Sequence, residues 1–342
     1  MAFLGMETFA QKGIFVLYLG LWVNFGLLNQ LAKKSHVEFN GTTAVLMQSL
    51  LKIVLSCYMF LIQDGTGKKM MKQAVEHRGV FLLYSIPASL YAVYDVLAYV
   101  NLKHFDPSTY VLLLQSRLPV TAIIHQVMFK TRLNRNQWIA VLITTAGCAL
   151  KTVGDTVSTE KEAQPSAGVY GLLAIQILCS VFAGVYNELL LKKRPSIPLN
   201  LQNIFMYLNS VASLVAMLSL GLTGQTLTDA IKPENIRVMV HPIVLALVLI
   251  MSFVGIVTSV FLKLLDSVRK SIAGALELVA LPIFSALLFR IPIAPHMFFS
   301  VAMVSSGMYL YSVPVTVPAN VVSDEEAERL ESIEGGGRLT WA

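Results

Sequence analysis

Charged residues are scarce in this chain. Asp, Glu, Lys and Arg together make up 13% of 342 residues, against roughly 25% in an ordinary soluble domain. So few charges argue against a water-soluble fold around one large core. Cysteine is rarer still. Cys57, Cys148 and Cys179 are the whole complement, each within an apolar run and without CxxC spacing. That excludes a disulfide framework and a thiolate zinc site, and leaves thiols acting as small hydrophobes. HExxH, GxSxG, Walker A and GxGxxG patterns are missing as well, and the histidines are scattered. No enzyme, metal or organic cofactor is therefore expected.

What the chain does have is apolar length. Residues of the AVILMFWYC set reach 55% and the mean hydropathy is +0.66. A helix needs about 20 apolar residues to cross a bilayer. Runs of that kind occur at 14–32, 42–62, 80–102, 107–128, 135–153, 169–191, 200–222, 238–264, 270–290 and 294–314. The expectation is an all-α, polytopic membrane protein of ten transmembrane helices. The first run is long and lacks a small-residue cleavage site, so it reads as a retained span. After Pro314 the chain turns acidic and glycine-rich, as in Asp324-Glu325-Glu326 and Gly335-Gly336-Gly337. Residues 315–342 read as a disordered cytosolic tail.

The net charge of +6 follows from topology and calls for no nucleic acid. With the N-terminus in the cytosol, 16 Lys and Arg residues fall on the cytosolic side and 8 on the other. The positive-inside rule then places both termini in the cytosol, which an even number of spans allows. Two hairpins share a pattern. Leu118-Pro119, Phe129-Lys130 and Gly147 recur as Leu281-Pro282, Phe289-Arg290 and Gly307. The reading is a first five-helix repeat over 1–153, a polar linker over 154–168 and a second repeat over 169–314. An odd number of spans per half inverts one against the other, a recurring transporter plan with substrate held at the midplane.

Lys52 and Arg117 each stand at the middle of an apolar run, with Asp95 at the middle of the run between them. A mid-bilayer cation costs about 2.5–3.5 kcal/mol on insertion scales, so it is seldom kept without a task. Two cations and one anion favour an anionic solute. Helical spacing puts Tyr91 with Asp95, Asn203 with Tyr207, Tyr110 with Arg117, and Ser180 with Gly184 and Glu188 on shared faces. Thr258 and Ser259 interrupt the eighth run, and Lys263, Asp266, Arg269 and Lys270 cluster where it meets the ninth. An aromatic ring beside amides and hydroxyls suits a nucleobase, while Lys and Arg suit phosphate oxygens. Duller readings stand beside these. The tyrosines also serve packing, the Lys263–Lys270 cluster also serves orientation, and Glu188 or Asp95 also serves as partner to a nearby cation. Asn40-Gly41-Thr42 is a glycosylation sequon on the non-cytosolic side, close to the membrane.

At these residues the chain resembles the nucleotide-sugar transporter family, in its CMP-sialic acid and UDP-galactose/UDP-N-acetylglucosamine subfamily. The segments are Thr42–Val45 with Lys52, Leu90–Val93, Asp106–Tyr110, Phe182–Glu188, Gln202–Tyr207 and Gly255–Ser259 with Lys263 and Lys270. The likeness is strongest to the family's Senju-like UDP-galactose transporters, through Tyr110–Gln115, Gly184–Leu190 and Gly255–Lys263. It implies a drug/metabolite-transporter fold in the Golgi membrane. That carrier exchanges cytosolic UDP-sugar, either UDP-galactose or UDP-N-acetylglucosamine, for a luminal nucleoside monophosphate such as UMP. The family's base- and ribose-facing positions match Tyr91, Tyr110, Ser180, Asn203, Tyr207, Thr258 and Ser259. Its phosphate-facing cations match Lys52 and Lys270, and Arg117 replaces a family lysine. The chain departs at Asp95, where asparagine is usual, and at Ser49, where an acid is usual. A transporter-like scaffold without transport, a carrier of another anionic metabolite, self-association and association with glycosyltransferases stay open as alternatives.

Overall fold

The computed structural model describes residues 4, 6–101, 104, 105, 110, 113–156, 166–222, 225–290 and 295–313. The expected tail, residues 157–165 of the expected linker, and Asp106–Thr109 of the matched motif lie outside the described residues. Regular structure among the described residues is entirely helical. The helices are α1 (Phe9–Lys34), α2 (Gly41–Gln63), α3 (Gly67–Glu76), α4 (Arg78–Asn101), α5 (Arg117–Phe129), α6 (Arg135–Thr156) and α7 (Ala167–Lys193). They continue with α8 (Leu199–Ser219), α9 (Leu227–Ala230), α10 (Pro233–Val238), α11 (Pro242–Leu264), α12 (Ser267–Phe289) and α13 (Pro295–Ser312).

Each predicted apolar run overlaps one of these helices. Seven of them, α1, α2, α4, α7, α8, α11 and α12, are long and apolar enough to cross a membrane. The remaining three runs fall on α5, α6 and α13. Large apolar side chains such as Val54, Ile62, Val127, Leu287 and Phe298 point outward. That pattern suits lipid, since a soluble monomer rarely exposes so much contiguous apolar surface.

Local chemistry fixes where helices begin and end. Thr8 and Gln11 form a capping box at the start of α1. Asn40 Oδ1 accepts the Thr42 and Thr43 amides at 2.9 and 3.1 Å, so the sequon asparagine is the N-cap of α2. Asp266 caps α12 by accepting the Arg269 amide at 2.7 Å. Satisfying these otherwise orphaned donors contributes about 1 kcal/mol per cap. Lys130 and Arg290 end α5 and α12 in left-handed backbone, with φ of 54° and 56°.

In the packing, α4 lies against both α7 and α8, and α1 lies against α11 and α12. Helix α2 packs on α8 and α11, α5 packs on α7 and α12, and α6 pairs with α13. The last pair is close because both partners thin to glycine. A Cβ on Gly147 of α6 would sit 2.9 Å from Met303 Cβ, and one on Gly307 of α13 would sit 2.9 Å from the Ala140 carbonyl. Small residues let helix backbones approach where dispersion, and not water, drives association.

Candidate functional site

Six helices enclose a cavity of about 510 Å³. Its wall takes Tyr18 and Trp22 from α1, Tyr91 and Tyr94 from α4, Thr145 and Cys148 from α6, and Ser180 and Gly184 from α7. Arg117 and Thr121 come from α5, and Ser267, Lys270, Ser271, Gly274 and Glu277 from α12. The α12 residues follow 3–4 spacing, so a single polar stripe of that helix faces inward. Tyr91 reaches α7 beside Gly184, where an added Cβ would lie 3.5 Å from its hydroxyl, an ordinary contact.

Arg117 stands where a helix begins. The predicted run placed it midway along one continuous span; the structure has a turn at Gln115–Ser116 and starts α5 at Arg117 itself. A helix N-terminus carries roughly half a positive charge and free amides. At this end the Leu118 amide donates to the Gln115 carbonyl, the Val120 amide donates to the Ser116 carbonyl and Pro119 has none, so the positive charge at the wall is chiefly the guanidinium's. Discontinuous helices of this kind are where transporters bind anionic groups.

A second polar group lies beside the first. Lys52 Nζ is 5.8 Å from the centroid of the Tyr207 ring, within cation–π range. Helix α11 makes room for it at Gly255, where a Cβ would lie 2.7 Å from Lys52 Cε and 3.0 Å from Tyr207 Oη. Asp95 is within electrostatic range of Lys52, and no contact ion pair joins them among the described residues. The Asp95 side chain is exposed, and it is not among the residues lining the cavity. Tyr91 is within range of both Asp95 and Arg117 and so links the two groups. Asn203, one turn from Tyr207 on α8, is buried with its Nδ2 lacking a partner among the described residues. A buried donor left unpaired needs an explanation, and a ligand acceptor is one.

The other predicted residues have protein partners. Tyr110 is buried, and its hydroxyl accepts from Gln176 Nε2 at 2.6 Å; Gln176 Oε1 in turn accepts from Asn101 at 2.8 Å. Thr258 donates to the Val254 carbonyl at 2.6 Å and Ser259 to the Ile256 carbonyl at 2.8 Å, both within α11. Glu188 is fully buried and heavily used. Its Oε2 accepts the Ser267 amide at 2.7 Å and the Ser267 hydroxyl at 2.6 Å; its Oε1 accepts from Lys192 at 2.7 Å and faces His125 Nε2 at 3.3 Å. It therefore anchors the first residue of α12 to α7. The Lys263–Lys270 cluster divides: Lys270 lines the cavity, Arg269 pairs with Asp266, and Lys263 is exposed.

Glu277 is the residue that sequence reasoning passed over. It sits in the ninth apolar run seven residues after Lys270, a spacing that puts both on one helical face. That spacing was the available signal. Trp22, Tyr94 and Thr121 gave none, since an aromatic or hydroxyl in a span is ordinary until its neighbours are known.

Comparison with known proteins gives concordant results. A family model described as nucleotide-sugar transporter matches residues 13–312. The UDP-galactose transporter senju of Drosophila melanogaster is 34% identical over 334 residues, covering 87% of this chain and 85% of that protein. The UDP-galactose translocator of Mus musculus is 28% identical over 288 residues, covering 81% of this chain and 71% of that protein. CMP-sialic acid transporter 2 of Oryza sativa is 26% identical over 278 residues, covering 81% and 76%. A solved crystal structure superposes with a TM-score of 0.66 at 12% identity, over 90% of this chain and 97% of that one. At that identity the likeness is one of fold.

Proposed function

The chain belongs to the nucleotide-sugar transporter family, and from that premise we propose that it exchanges a UDP-sugar for a nucleoside monophosphate across the Golgi membrane. UDP-galactose and UDP-N-acetylglucosamine are the sugars in view, and UMP is the returning ligand. The observation that carries the reading is the cavity wall itself. It holds two cations, Arg117 and Lys270, beside the rings of Tyr91 and Tyr94 and the hydroxyls of Ser180 and Thr121. Phosphate oxygens suit the cations, Arg117 being able to donate two parallel hydrogen bonds to them; a flat base suits the rings. The pair of Lys52 and Tyr207, with the free amide of Asn203, extends the same chemistry toward α8 and α11.

We further read the molecule as two inverted five-helix halves rocking about this cavity. The helix pairings support it. Exchanging α1 for α7, α2 for α8, α4 for α11, α5 for α12 and α6 for α13 turns the α4–α7 contact into α11–α1 and the α5–α7 contact into α12–α1. Lys130 and Arg290, alike in sequence setting and backbone, stand at corresponding helix ends. Both termini are read as cytosolic from the basic loops.

Uridine monophosphate and the nucleotide sugar share a base and at least one phosphate, so they satisfy the same groups. An empty cavity leaves its net positive charge uncompensated while the halves move, and that difference makes exchange faster than one-way movement. The test is uptake of labelled UDP-galactose and UDP-N-acetylglucosamine into proteoliposomes preloaded with UMP, CMP, GMP or nothing. UMP-loaded vesicles are expected to fill fastest. Equal uptake into empty and UMP-loaded vesicles refutes exchange, and GMP matching UMP refutes a site shaped for a pyrimidine.

A further inference from the structure

Glu277 puts a carboxylate in the same cavity wall as Arg117 and Lys270, where an anionic ligand is to bind. Its charge is within electrostatic range of Arg117, with the Tyr18 hydroxyl also near. It is half-buried, one turn past Gly274 on the inward stripe of α12. Its oxygens take part in no ion pair or hydrogen bond among the described residues. Three of the protein's charged groups thus share one cavity wall: two cations and one anion, with tyrosines around them.

We infer that Glu277 is a resident counter-anion, which compensates Arg117 and Lys270 while the cavity is empty and is opposed by the phosphates of an arriving ligand. The inference takes the kind of ligand from the reading above and adds what limits its binding. Without Glu277 the empty wall would present two cations and no anion of its own, with the Glu188 carboxylate within electrostatic range of Lys270 only, and uncompensated charge inside a protein is costly. With it the wall keeps one net positive charge. The empty carrier can therefore turn over, though more slowly than the loaded one, so exchange is accelerated and not obligatory. The same carboxylate repels phosphate and holds affinity down, which helps release on the far side.

The experiment measures binding to the purified full chain with three probes: inorganic pyrophosphate, UDP and uridine. In Glu277→Gln both pyrophosphate and UDP should bind about tenfold tighter, the scale of one charge repulsion across a few ångströms of partly wet protein. Uridine, which has no phosphate, should bind as it does to the parent. Glu277→Ser is a second neutral variant should the glutamine form fold poorly, and the same tightening is expected of it. In vesicles, the neutral variants should lose uptake of UDP-galactose into empty liposomes while keeping exchange with internal UMP. Unchanged or weaker pyrophosphate binding in the neutral variants overturns the inference, as does absence of pyrophosphate binding to every form. If instead pyrophosphate tightens as expected but UDP binds no better than pyrophosphate, the nucleotide reading fails and the counter-anion stands.

Discussion

Lys52 is half-buried between helices and Arg117 is exposed at the cavity wall, so the surroundings of the two cations differ in kind. Lys52 leans on the face of Tyr207 under Gly255, a slot set by side-chain packing. Arg117 opens a helix at the cavity wall, with Lys270 and Glu277 in the same wall. In each case the charge is placed where an anion would be met, and truncation removes a charge-assisted contact. Lys52→Ala and Arg117→Ala should therefore each weaken nucleotide binding by about 2–4 kcal/mol, with thermal stability close to that of the parent. Arg117→Lys should lose less, since it keeps the charge and gives up only the planar fork. Titration of the purified variants with UDP checks this; two alanine variants that bind like the parent would show that the cations serve some other purpose. Asp95 is the residue whose setting is least ordinary. It is within electrostatic range of Lys52, as the sequence allowed when it gave Asp95 a cation for a partner.

Helices were the most legible level of this molecule. Apolar length alone placed a helix under every predicted run, because lipid leaves a crossing segment few other ways to satisfy its backbone. The same criterion overlooked α3, α9 and α10, which are short and lie in stretches expected as loops; a window wide enough to find a span averages such pieces away. It also did not mark the interruption of the fourth run at Gln115–Ser116, because the same wide window averages the polar triplet Gln115-Ser116-Arg117 into its apolar flanks. The role of Glu188 needed tertiary contacts. Spacing put it on a face with Ser180 and Gly184, whereas the structure has it holding the N-terminal turn of α12 to α7 through Ser267, with Lys192 and His125 on its other oxygen. Helix dipole and hydrogen bonds both favour a carboxylate at that end. Glu188→Gln removes the charge at constant shape, so it should destabilise the protein by about 2–3 kcal/mol, while UDP affinity measured below the melting transition falls only modestly. Thermal unfolding of the detergent-solubilised variant is the measurement. Parent-like stability would mean that the α7–α12 junction is held by packing alone.

At the scale of the whole molecule, the question is how the two halves lie relative to the membrane. The sequence offered two hints, the recurrence of Phe-Lys and Phe-Arg with a glycine beyond, and the excess of basic loops on one side. Neither hint is strong alone, because leucine-proline pairs and basic turns are common in membrane chains. The structure adds physical content to the first. Gly147 and Gly307 are each packed against the other's helix, and the helix ends at Lys130 and Arg290 share one left-handed conformation. If the halves are inverted, the segment after α5 and the segment after α12 emerge on opposite faces of the bilayer. Arg132, exposed after α5, and Pro295, exposed at the start of α13, are suitable places to ask. In a chain whose native cysteines are replaced by alanine, Arg132→Cys should react with an impermeant maleimide from the cytosolic face of sealed Golgi vesicles. Pro295→Cys should react only after the vesicles are opened with detergent. The charge count agrees, since Lys130, Arg132 and Arg135 make the first segment strongly basic while Arg290 is the lone cation assigned to the second. On the proposed orientation, the cost of carrying a basic cluster across the membrane during insertion would hold the first segment in the cytosol. Labelling of both positions from the same face would rule out inversion, and with it rocking of two opposed halves as the way the cavity changes sides.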